Sequence, residues 1–256
     1  MASEIPPDLS RWCPRGAGLI SPPQGMTSDV VFVEGCDAPV VLKRCRDPRY
    51  TSWLRREHTV LRALPTLPVP VPRVLDSIDR EAEGGDVWLV MTRLPGSPLW
   101  PWLLDASPTR RADLLNVLGT ALRQVHSLAL PLVLRNEQGW LDAKLAEAEG
   151  NLAWCDGTPG LLSDLVRRKP DPVQETLIHG DLSLDNVLIE GKGISGFVDW
   201  PFGGQGDPRS DIALALQTEP EIALQERDFA AFSAGYGSPL LEVDTRRWFA
   251  DLYEFF

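Results

Sequence analysis

The stretch LIHGDLSLDNVLI occupies residues 177–189, and FVDW follows it at residues 197–200. Asn186 lies five residues after Asp181, and Asp199 lies thirteen residues after Asn186. Short apolar runs flank both polar segments, which predicts two turns that are each bounded by strands. An Asp, an Asn and a second Asp at this spacing are typical of ATP-dependent phosphoryl transfer, so a kinase is the leading hypothesis.

Each of the three polar residues has a predicted chemical role. The segment from His179 to Asn186 matches the kinase catalytic-loop pattern H-R-D-x-x-x-x-N at every position except the Arg. Asp181 is predicted to accept the proton of the substrate hydroxyl, and Asn186 is predicted to hold one Mg²⁺. Asp199 stands where the D-F-G aspartate belongs and is predicted to chelate the metal ions. All three are hard oxygen donors, as Mg²⁺ demands.

The first part of the chain supplies candidates for binding the nucleotide phosphates. Lys43 ends a Val-Val-Leu-Lys run that resembles the V-A-I-K strand of kinases, and Glu57 follows fourteen residues later in a predicted helix. Alone, this pairing is more typical of a surface pair; together with the downstream motif it predicts an ion pair. Gly25, Thr27 and Ser28 lie in the turn where a loop over the nucleotide is expected. The turn is not G-x-G-x-x-G, so backbone amides and the two hydroxyls are predicted to contact phosphate.

Two features indicate the kind of acceptor. Gly180 takes the place of the Arg that meets a phosphorylated activation loop in regulated protein kinases. Only residues 203–206 separate the Asp199 turn from Asp207, which leaves no room for a long activation segment. We therefore expect a small-molecule acceptor rather than a protein.

The charge of the chain is unevenly distributed. The formal net charge of the 256 residues is −11 at pH 7, and residues 1–95 contain 12 acidic and 12 basic residues, so the whole excess lies in residues 96–256. Such a field repels nucleic acid and anionic membranes and attracts a cationic ligand, although a solubilising surface explains it equally well. No signal-peptide pattern and no run of about 20 apolar residues is present. We expect a cytoplasmic enzyme, monomer or homodimer, that binds neither nucleic acid nor membrane.

The hydrophobic pattern changes along the chain. Residues 1–94 are predicted to form an antiparallel β lobe of five elements with one helix, which Thr51 or Ser52 caps. The Pro and Gly content of residues 95–98 predicts a hinge. Residues 99–256 are predicted to be mainly helical, interrupted by strands around the two motifs. The expected fold class is α+β with two lobes.

Histidine is a weaker signal in this chain. His126 follows an apolar helix and His58 lies in the predicted Glu57 helix, so both are interpreted as packed or surface side chains. His179 is expected to brace the catalytic loop rather than to transfer protons.

The residues from His179 to Asn186, Asp199 and the stretch GDPRSDIA at residues 206–213 together resemble the aminoglycoside phosphotransferase family. The version HGDLSLDN and the ending LYEFF at residues 252–256 are most similar to its aminoglycoside 3′-phosphotransferase branch. The resemblance implies a protein-kinase-like fold in which ATP (or GTP) with Mg²⁺ lies between two lobes. It also implies transfer of phosphate to a hydroxyl of a cationic aminoglycoside, which confers antibiotic resistance.

By position, the resemblance assigns the roles already given to five residues, which are Asp181, Asn186, Asp199, Lys43 and Glu57. It adds an adenine site, where Leu94 lends backbone groups beside Met91. It further implies that Asp211 is a buried carboxylate that accepts hydrogen bonds from the catalytic loop.

The acceptor site is where the chain both resembles and departs from this branch. Glu254 and the carboxylate of Phe256 would face the ammonium groups of the acceptor. Asp156 is a further acidic candidate, in the segment where the branch usually carries an acid-rich insertion. The branch usually has an Asp-Glu pair near its end where this chain has Tyr253 before Glu254, and an Arg where this chain has Phe202.

Three alternatives stay open. The first is a kinase of the same fold that acts on another metabolite or antibiotic, such as a peptide antibiotic, a macrolide or an amino alcohol, and the altered acceptor residues support it. The second is a nucleotide-binding pseudokinase, which the joint presence of Lys43, Asp181, Asn186 and Asp199 disfavours. The third is a metal-dependent hydrolase, which Lys43 and the hinge pattern disfavour. The sequence leaves open which hydroxyl is modified and whether ATP or GTP is preferred.

Overall fold

The structure is a computed structural model that describes residues 5–22, 27–35, 38–64, 70–80, 82, 85–217 and 222–256. The chain divides into two compact units. The first comprises Met1–Pro95 and Gly196–Phe202, and the second comprises Gly96–Ser195 and Gly203–Phe256.

This division places Gly196–Phe202 with the first unit, and it divides the predicted hinge at residues 95–98 after Pro95. The prediction assigned Asp199 to a second lobe at residues 99–256, but Gly196–Phe202 groups with the first unit. The physical reason is local pairing, because the backbone N–H of Phe197 donates to the carbonyl oxygen of Pro70 at 2.9 Å. Gly196 also lies so close to Leu94 that an added Cβ would be 2.3 Å from its Cδ1.

The first unit contains a five-stranded antiparallel sheet with strand order β1-β2-β3-β5-β4. Its strands are β1 (Gly18–Ile20), β2 (Asp29–Glu34), β3 (Val40–Cys45), β4 (Val74–Asp79) and β5 (Val87–Thr92). Alternating apolar residues form one buried face, which includes Val33, Leu42, Trp88 and Val90. The predicted β lobe of five elements is therefore present.

One helix, α1 (Thr51–Ala63), accompanies this sheet. It buries Leu54, Val60 and Leu61, which recur at helical spacing. The predicted cap is wrong, because the N-cap residue is Tyr50 and it makes no side-chain capping hydrogen bond. Thr51 is already helical, and its hydroxyl instead donates to the carbonyl oxygen of Pro48 at 3.1 Å.

The second unit is mainly helical. Its helices are α2 (Leu99–Leu104), α3 (Pro108–His126), α4 (Trp140–Asn151), α5 (Pro159–Arg167), α6 (Pro208–Ala215), α7 (Glu226–Tyr236) and α8 (Val243–Tyr253). Its strands form two small sheets, one of β6 (Ser97–Pro98), β8 (Val187–Glu190) and β9 (Gly193–Phe197), the other of β7 (Thr176–Ile178) and β10 (Gly204–Gly206). Strand β9 continues into the first unit at Gly196. These elements confirm the predicted α+β fold class.

The predicted hinge contains regular structure. Ser97 and Pro98 form β6, which pairs antiparallel with β8. Gly96 has a φ of 97°, and a Cβ added there would lie 2.5 Å from the carbonyl oxygen of Ile189. Only glycine tolerates both conditions, so this residue is required for the chain to enter the sheet.

The core of the second unit holds the last residues of the chain in place. Residues from α4, α5 and α8 pack together, and Phe255 is fully buried among them. The indole N–H of Trp248 donates to the carbonyl oxygen of Leu165 at 2.9 Å, which ties α8 to α5. Within the described residues, no helix combines the length and apolar content needed to cross a membrane.

Candidate active site

A buried cation lies at the centre of the first unit. Lys43 is in β3, opposite Val30 of β2 and Leu89 of β5. Its side chain is only 9% exposed, and its ammonium donates to Glu57 of α1 with an Nζ–Oε2 distance of 2.7 Å. The same ammonium donates to the carboxylate of Asp199. The ion pair that the spacing predicted is therefore present, and it is extended to a third residue.

The electrostatics of this cluster keep the lysine charged. Burial lowers the pKa of Lys43, but the nearby carboxylates of Asp199 and Glu57 raise it by more, so the pKa lies above its ordinary value. The result is a fixed ammonium that is held in position before any ligand arrives. Such a point charge suits the oxygen atoms of a phosphate group.

Asp199 follows β9 in an unusual backbone conformation. Its φ is 66°, and it is the only non-glycine residue with positive φ among the residues that the structure describes. This left-handed conformation is costly for a side chain with a Cβ, and such strain concentrates at functional sites. The following residue anchors the turn, because Trp200 is fully buried and its indole N–H donates to the carbonyl oxygen of Phe197 at 3.0 Å. The Asp199 side chain remains 41% exposed.

In the second unit, the predicted catalytic loop connects β7 to β8. Its backbone is held by Asp211 of α6, which accepts from the N–H of His179 at 2.7 Å and from the N–H of Gly180 at 2.8 Å. Gly180 has a φ of 83°, so the backbone there favours glycine. The backbone conformation therefore explains why glycine occupies position 180, independently of any activation loop. His179 is buried, and its Nδ1 accepts from the N–H of Asp181 at 3.3 Å, which agrees with the predicted bracing role.

Asp211 is itself part of a buried hydrogen-bonded chain. His126 Nε2 lies 3.0 Å from Asp211 Oδ2, and His126 Nδ1 lies 2.8 Å from the hydroxyl of Tyr236. Burial raises the pKa of Asp211, but the hydrogen bonds from His126 and from the His179 backbone outweigh it and hold the pKa below its ordinary value. Burial, followed by the charge of Asp211, raises the pKa of Tyr236 to about 12. His126 is thus a packed histidine, as interpreted, and it also supports the loop indirectly.

Asp181, the predicted base, is half-buried and has partners on both carboxylate oxygens. The Nδ2 of Asn186 donates to the carbonyl oxygen of Asp181 at 2.8 Å and lies 3.2 Å from its Oδ2. The hydroxyl of Tyr253, the last residue of α8, donates to Asp181 Oδ1 at 2.6 Å. Asp181 and Tyr253 are 72 residues apart in the sequence, so no local pattern could have predicted their contact.

The three predicted acceptor-binding residues lie near this helix end. The N–H of Gly157, next to the exposed Asp156, donates to the carbonyl oxygen of the exposed Glu254 at 2.9 Å. Asn151 Nδ2 donates to the carbonyl oxygen of Phe255 at 2.9 Å. The ring of Phe256 is half-buried and lies 4.2 Å from Lys144 Nζ, measured to the ring centroid. The fold therefore brings Asp156 and Glu254 onto adjacent segments of the second unit.

The remaining nucleotide candidates belong to the first unit. Gly25 lies outside the described residues, whereas Thr27 and Ser28 are half-buried just before β2. Met91 is buried in β5 opposite Val41 and Val74. Leu94 is half-buried and follows the same strand by two residues.

Each of the two units offers an oxygen donor that suits a magnesium ion. Asn186 uses its amide nitrogen toward Asp181, and its amide oxygen is the atom that a hard cation would take. Asp199 offers a carboxylate that is partly open to solvent. Among the described residues, no group of three or more His, Cys, Asp or Glu side chains could hold a metal. Mg²⁺ commonly takes only one or two protein ligands alongside phosphate and water, so either residue by itself supplies a suitable donor.

The sequence patterns do not indicate two residues that contribute to the site. Tyr253 departs from the acidic pair of the family branch, but its spacing does not predict its contact with Asp181. Tyr236 gave no signal at all, because its role depends on the packing of α7 against α3. That packing is close, since a Cβ on Gly235 would lie 2.0 Å from the carbonyl oxygen of Asn116.

Known proteins resemble this chain in both sequence and structure. A family model described as the phosphotransferase enzyme family matches residues 19–251. The chain is 30% identical over 217 residues to an aminoglycoside 3′-phosphotransferase of Niallia circulans, which covers 80% of each protein. It is 32% identical over 132 residues to a homoserine kinase of a Bradyrhizobium species, covering 47% of this chain and 40% of that protein.

Solved structures support the same fold. The crystal structure of an aminoglycoside phosphotransferase superposes with a TM-score of 0.68 at 18% identity, covering 98% of this chain and 89% of that chain. At this identity the likeness concerns the fold, which confirms the predicted kinase-like architecture. The family match extends over most of the chain and includes every strand and helix of the candidate site except the end of α8. The chain belongs to the phosphotransferase enzyme family.

Proposed function

We propose that this chain is a small-molecule kinase that transfers the γ-phosphate of ATP or GTP to a hydroxyl of a cationic aminoglycoside. Such a reaction would confer antibiotic resistance. One observation carries the proposal: Asp181 is half-exposed on a loop whose backbone is bound by the buried carboxylate of Asp211. A partly exposed carboxylate in a constrained position is what general-base catalysis requires.

Asp181 accepts a proton in the proposed chemical step. The oxygen of the acceptor hydroxyl forms a bond to the γ-phosphorus while its proton passes to the Asp181 carboxylate. The bond between the γ-phosphorus and the bridging oxygen breaks, and its electron pair leaves with the nucleoside diphosphate. The loop contacts of His179 and Gly180 hold the base during this transfer.

The phosphate groups of the nucleotide require positive charge. Lys43, held by Glu57 and Asp199, is the candidate for the α and β phosphates. Asn186 and Asp199 are the candidates to hold Mg²⁺, which when bound neutralises charge on the transferring phosphoryl group. Thr27, Ser28 and Gly25 would cover the phosphates.

The adenine or guanine ring has candidates at the end of β5. We assign it to the backbone of Leu94 and the side chain of Met91, because peptide N–H and C=O groups past the end of a strand are free of its ladder. This assignment is independent of the catalytic one.

The cationic character of the acceptor rests on local charge. Residues 96–256 contain 24 acidic and 13 basic residues. Within this unit, Asp156 and Glu254 are exposed on adjacent segments near α8, so both are available to ammonium groups. Phe256 completes the candidate acceptor site.

A second candidate acceptor is a smaller amino alcohol. The match of 132 residues to a homoserine kinase supports it, since that protein is also related to this chain. The neutral Tyr253 next to Asp181 supports it as well. A phenol at this position, unlike a carboxylate, does not attract additional ammonium groups of the acceptor.

A panel of acceptors tests the proposal. The purified protein is incubated with ATP or GTP, Mg²⁺ and one of several aminoglycosides, homoserine, a macrolide or a peptide antibiotic. We expect release of nucleoside diphosphate together with a product that is heavier by one phosphoryl group, and we expect both with an aminoglycoside. Turnover with homoserine and with no aminoglycoside would replace the first candidate by the second. No transfer to any member of the panel would contradict both.

A further inference from the structure

The contact between Tyr253 and Asp181 has the geometry of a strong hydrogen bond. The distance of 2.6 Å from the phenol oxygen to Asp181 Oδ1 lies in the range of hydroxyl groups bound to ionised carboxylates. The other carboxylate oxygen, Oδ2, lies 3.2 Å from Asn186 Nδ2, which is a longer contact. The contact of Oδ1 with Tyr253 is therefore closer than the contact of Oδ2 with Asn186.

The phenol is held in this position by the end of the chain. Tyr253 closes α8, and Phe255, two residues later, is fully buried in the core of the second unit. Hydrogen bonds from Gly157 to the Glu254 carbonyl and from Asn151 to the Phe255 carbonyl secure the same segment. A tyrosine side chain has two torsions, so a fixed backbone leaves the ring few alternative positions.

This geometry places a competing hydroxyl at Oδ1, one of the two oxygens through which Asp181 could act as a base. A base must lie about 2.6–3.2 Å from the hydroxyl whose proton it takes. The Tyr253 hydroxyl already occupies such a position. An attacking hydroxyl, whether from an acceptor or from water, competes with the phenol for this oxygen or uses one of the remaining lone pairs of the carboxylate.

We propose that Tyr253 caps the catalytic carboxylate when no acceptor is bound, and that the acceptor hydroxyl displaces it. The inference rests on the proposed function of Asp181 and adds a role that motif spacing does not assign. In the capped form, water is kept from the position next to the base, so nucleotide is not hydrolysed unproductively. A bound acceptor supplies enough contacts to replace the phenol, whereas a single water molecule does not.

The suppressed reaction has a defined chemistry. A water oxygen would bond to the γ-phosphorus, its proton would pass to Asp181, and the bond from phosphorus to the bridging oxygen would break. The products are the nucleoside diphosphate and inorganic phosphate. No further reactant is needed, so the reaction can be measured without knowledge of the acceptor.

The substitution Tyr253→Phe tests the cap, because it removes the hydroxyl and keeps the ring. The probe is ATP with Mg²⁺ and no acceptor, and the readout is the release of inorganic phosphate. Since a hydrogen bond to a charged group is replaced by one to water, we expect hydrolysis to rise about 3- to 10-fold. With an acceptor that is turned over, KM for the acceptor should fall by a similar factor while kcat changes less than about twofold.

Matched variants separate the possible outcomes. Tyr50→Phe removes a phenol oxygen in the first unit and should leave hydrolysis unchanged, and thermal unfolding checks that each variant is folded. The double variant Tyr253→Phe with Asp181→Asn should lose the added hydrolysis, because the added reaction runs through the base. A more drastic substitution, Tyr253→Leu, removes the ring as well as the hydroxyl and should raise hydrolysis at least as much.

Two results would overturn the cap and leave the proposed function intact. One is unchanged or lower hydrolysis in both Tyr253 variants while Asp181→Asn alone abolishes transfer. The other is a tenfold or larger loss of kcat in Tyr253→Phe at an unchanged KM, which would make Tyr253 a support of the base. If Asp181→Asn retains transfer, the proposed function itself fails. This failure is measured in an Asp181 variant, so it is distinguishable from failure of the cap, which is measured in the Tyr253 variants.

Discussion

The two units hold their reactive groups by different means. In the first unit, Lys43 is held by the carboxylates of Glu57 and Asp199, so charges fix a charge. In the second unit, Asp181, the proposed base, lies on a loop whose backbone amides donate to Asp211, so hydrogen bonds to the loop backbone fix its position. The first group is almost completely buried, and the second is half-exposed.

Substitutions at Lys43 therefore test the contribution of charge, and substitutions at Asp211 test the contribution of loop position. A change at Lys43 leaves two carboxylates close together and removes the cation that is proposed to bind the phosphates. A change at Asp211 leaves the charge of the base unaltered and frees the loop that carries it. The same loss of activity should therefore come with different effects on stability and on pH dependence.

The largest effect is expected at the cation. Lys43→Met keeps the length of the side chain and removes its charge. Removing one such electrostatic contact in a catalytic site typically costs about 100- to 1,000-fold, so kcat/KM for the nucleotide should fall by that factor. Steady-state kinetics with varied ATP measure it. The control is Lys192→Met, at an exposed position after β8, which should stay near wild type. A loss below tenfold would show that the charge of Lys43 is not needed for turnover of the nucleotide.

The anchor of the loop comes next. Asp211→Asn replaces the carboxylate that is hydrogen-bonded to His126 and accepts from two backbone amides. Disrupting such a buried network costs roughly 3 kcal/mol in the free energy of unfolding, and a displaced base costs about 10- to 100-fold in kcat. Urea unfolding and steady-state kinetics provide the two values. Asp113→Asn, on the exposed face of α3, is the control. Wild-type stability in Asp211→Asn would show that the loop does not depend on this anchor.

The pH dependence of stability sharpens the contrast. The pKa of Asp211 is depressed below the ordinary 3.8, so its contribution to stability is present above that pH and is lost as the pH falls further. The pKa of Lys43 is raised above the ordinary 10.5, so its contribution is present below that pH and is lost only in stronger alkali. Urea unfolding of wild type and Asp211→Asn should therefore differ most above about pH 4 and converge in stronger acid. A constant difference down to about pH 2 would contradict this assignment.

The smallest effect is expected at the acceptor residues. Glu254 and Asp156 are exposed, so each contact with an ammonium group is screened by solvent. Glu254→Gln should raise KM for a cationic acceptor about two- to fivefold and leave KM for the nucleotide unchanged. The rise should shrink at high salt, which kinetics at two ionic strengths would reveal. An equal rise in KM for a neutral acceptor would argue against a role in charge recognition.

The regular parts of the fold could be predicted because they depend on local patterns. The apolar runs of β2 and β3 and the strand lysine with its helix glutamate are short-range signals, and both are present. The catalytic loop could be predicted from spacing, since the loop is short and its strands flank it closely. The Thr51 cap was wrong because the chain before α1 turns so that Tyr50 takes the capping position.

What could not be predicted depends on packing between distant segments. The contact of Tyr253 with Asp181 follows from how α8 docks on α5 and from where Phe255 is buried. The chain from Asp211 through His126 to Tyr236 joins three helices, and its geometry exists only after they pack. The grouping of Asp199 with the first unit likewise results from a backbone contact with Pro70.

Asp181→Asn, measured against Asp185→Asn, tests the role of the base most directly. Both residues lie in the same loop, and Asp185 is exposed. In a single turnover with saturating nucleotide and acceptor, loss of a general base should slow transfer by about 100- to 10,000-fold in Asp181→Asn. Asp185→Asn should remain close to wild type. Equal rates in the two variants would contradict the assignment of Asp181 as the catalytic base.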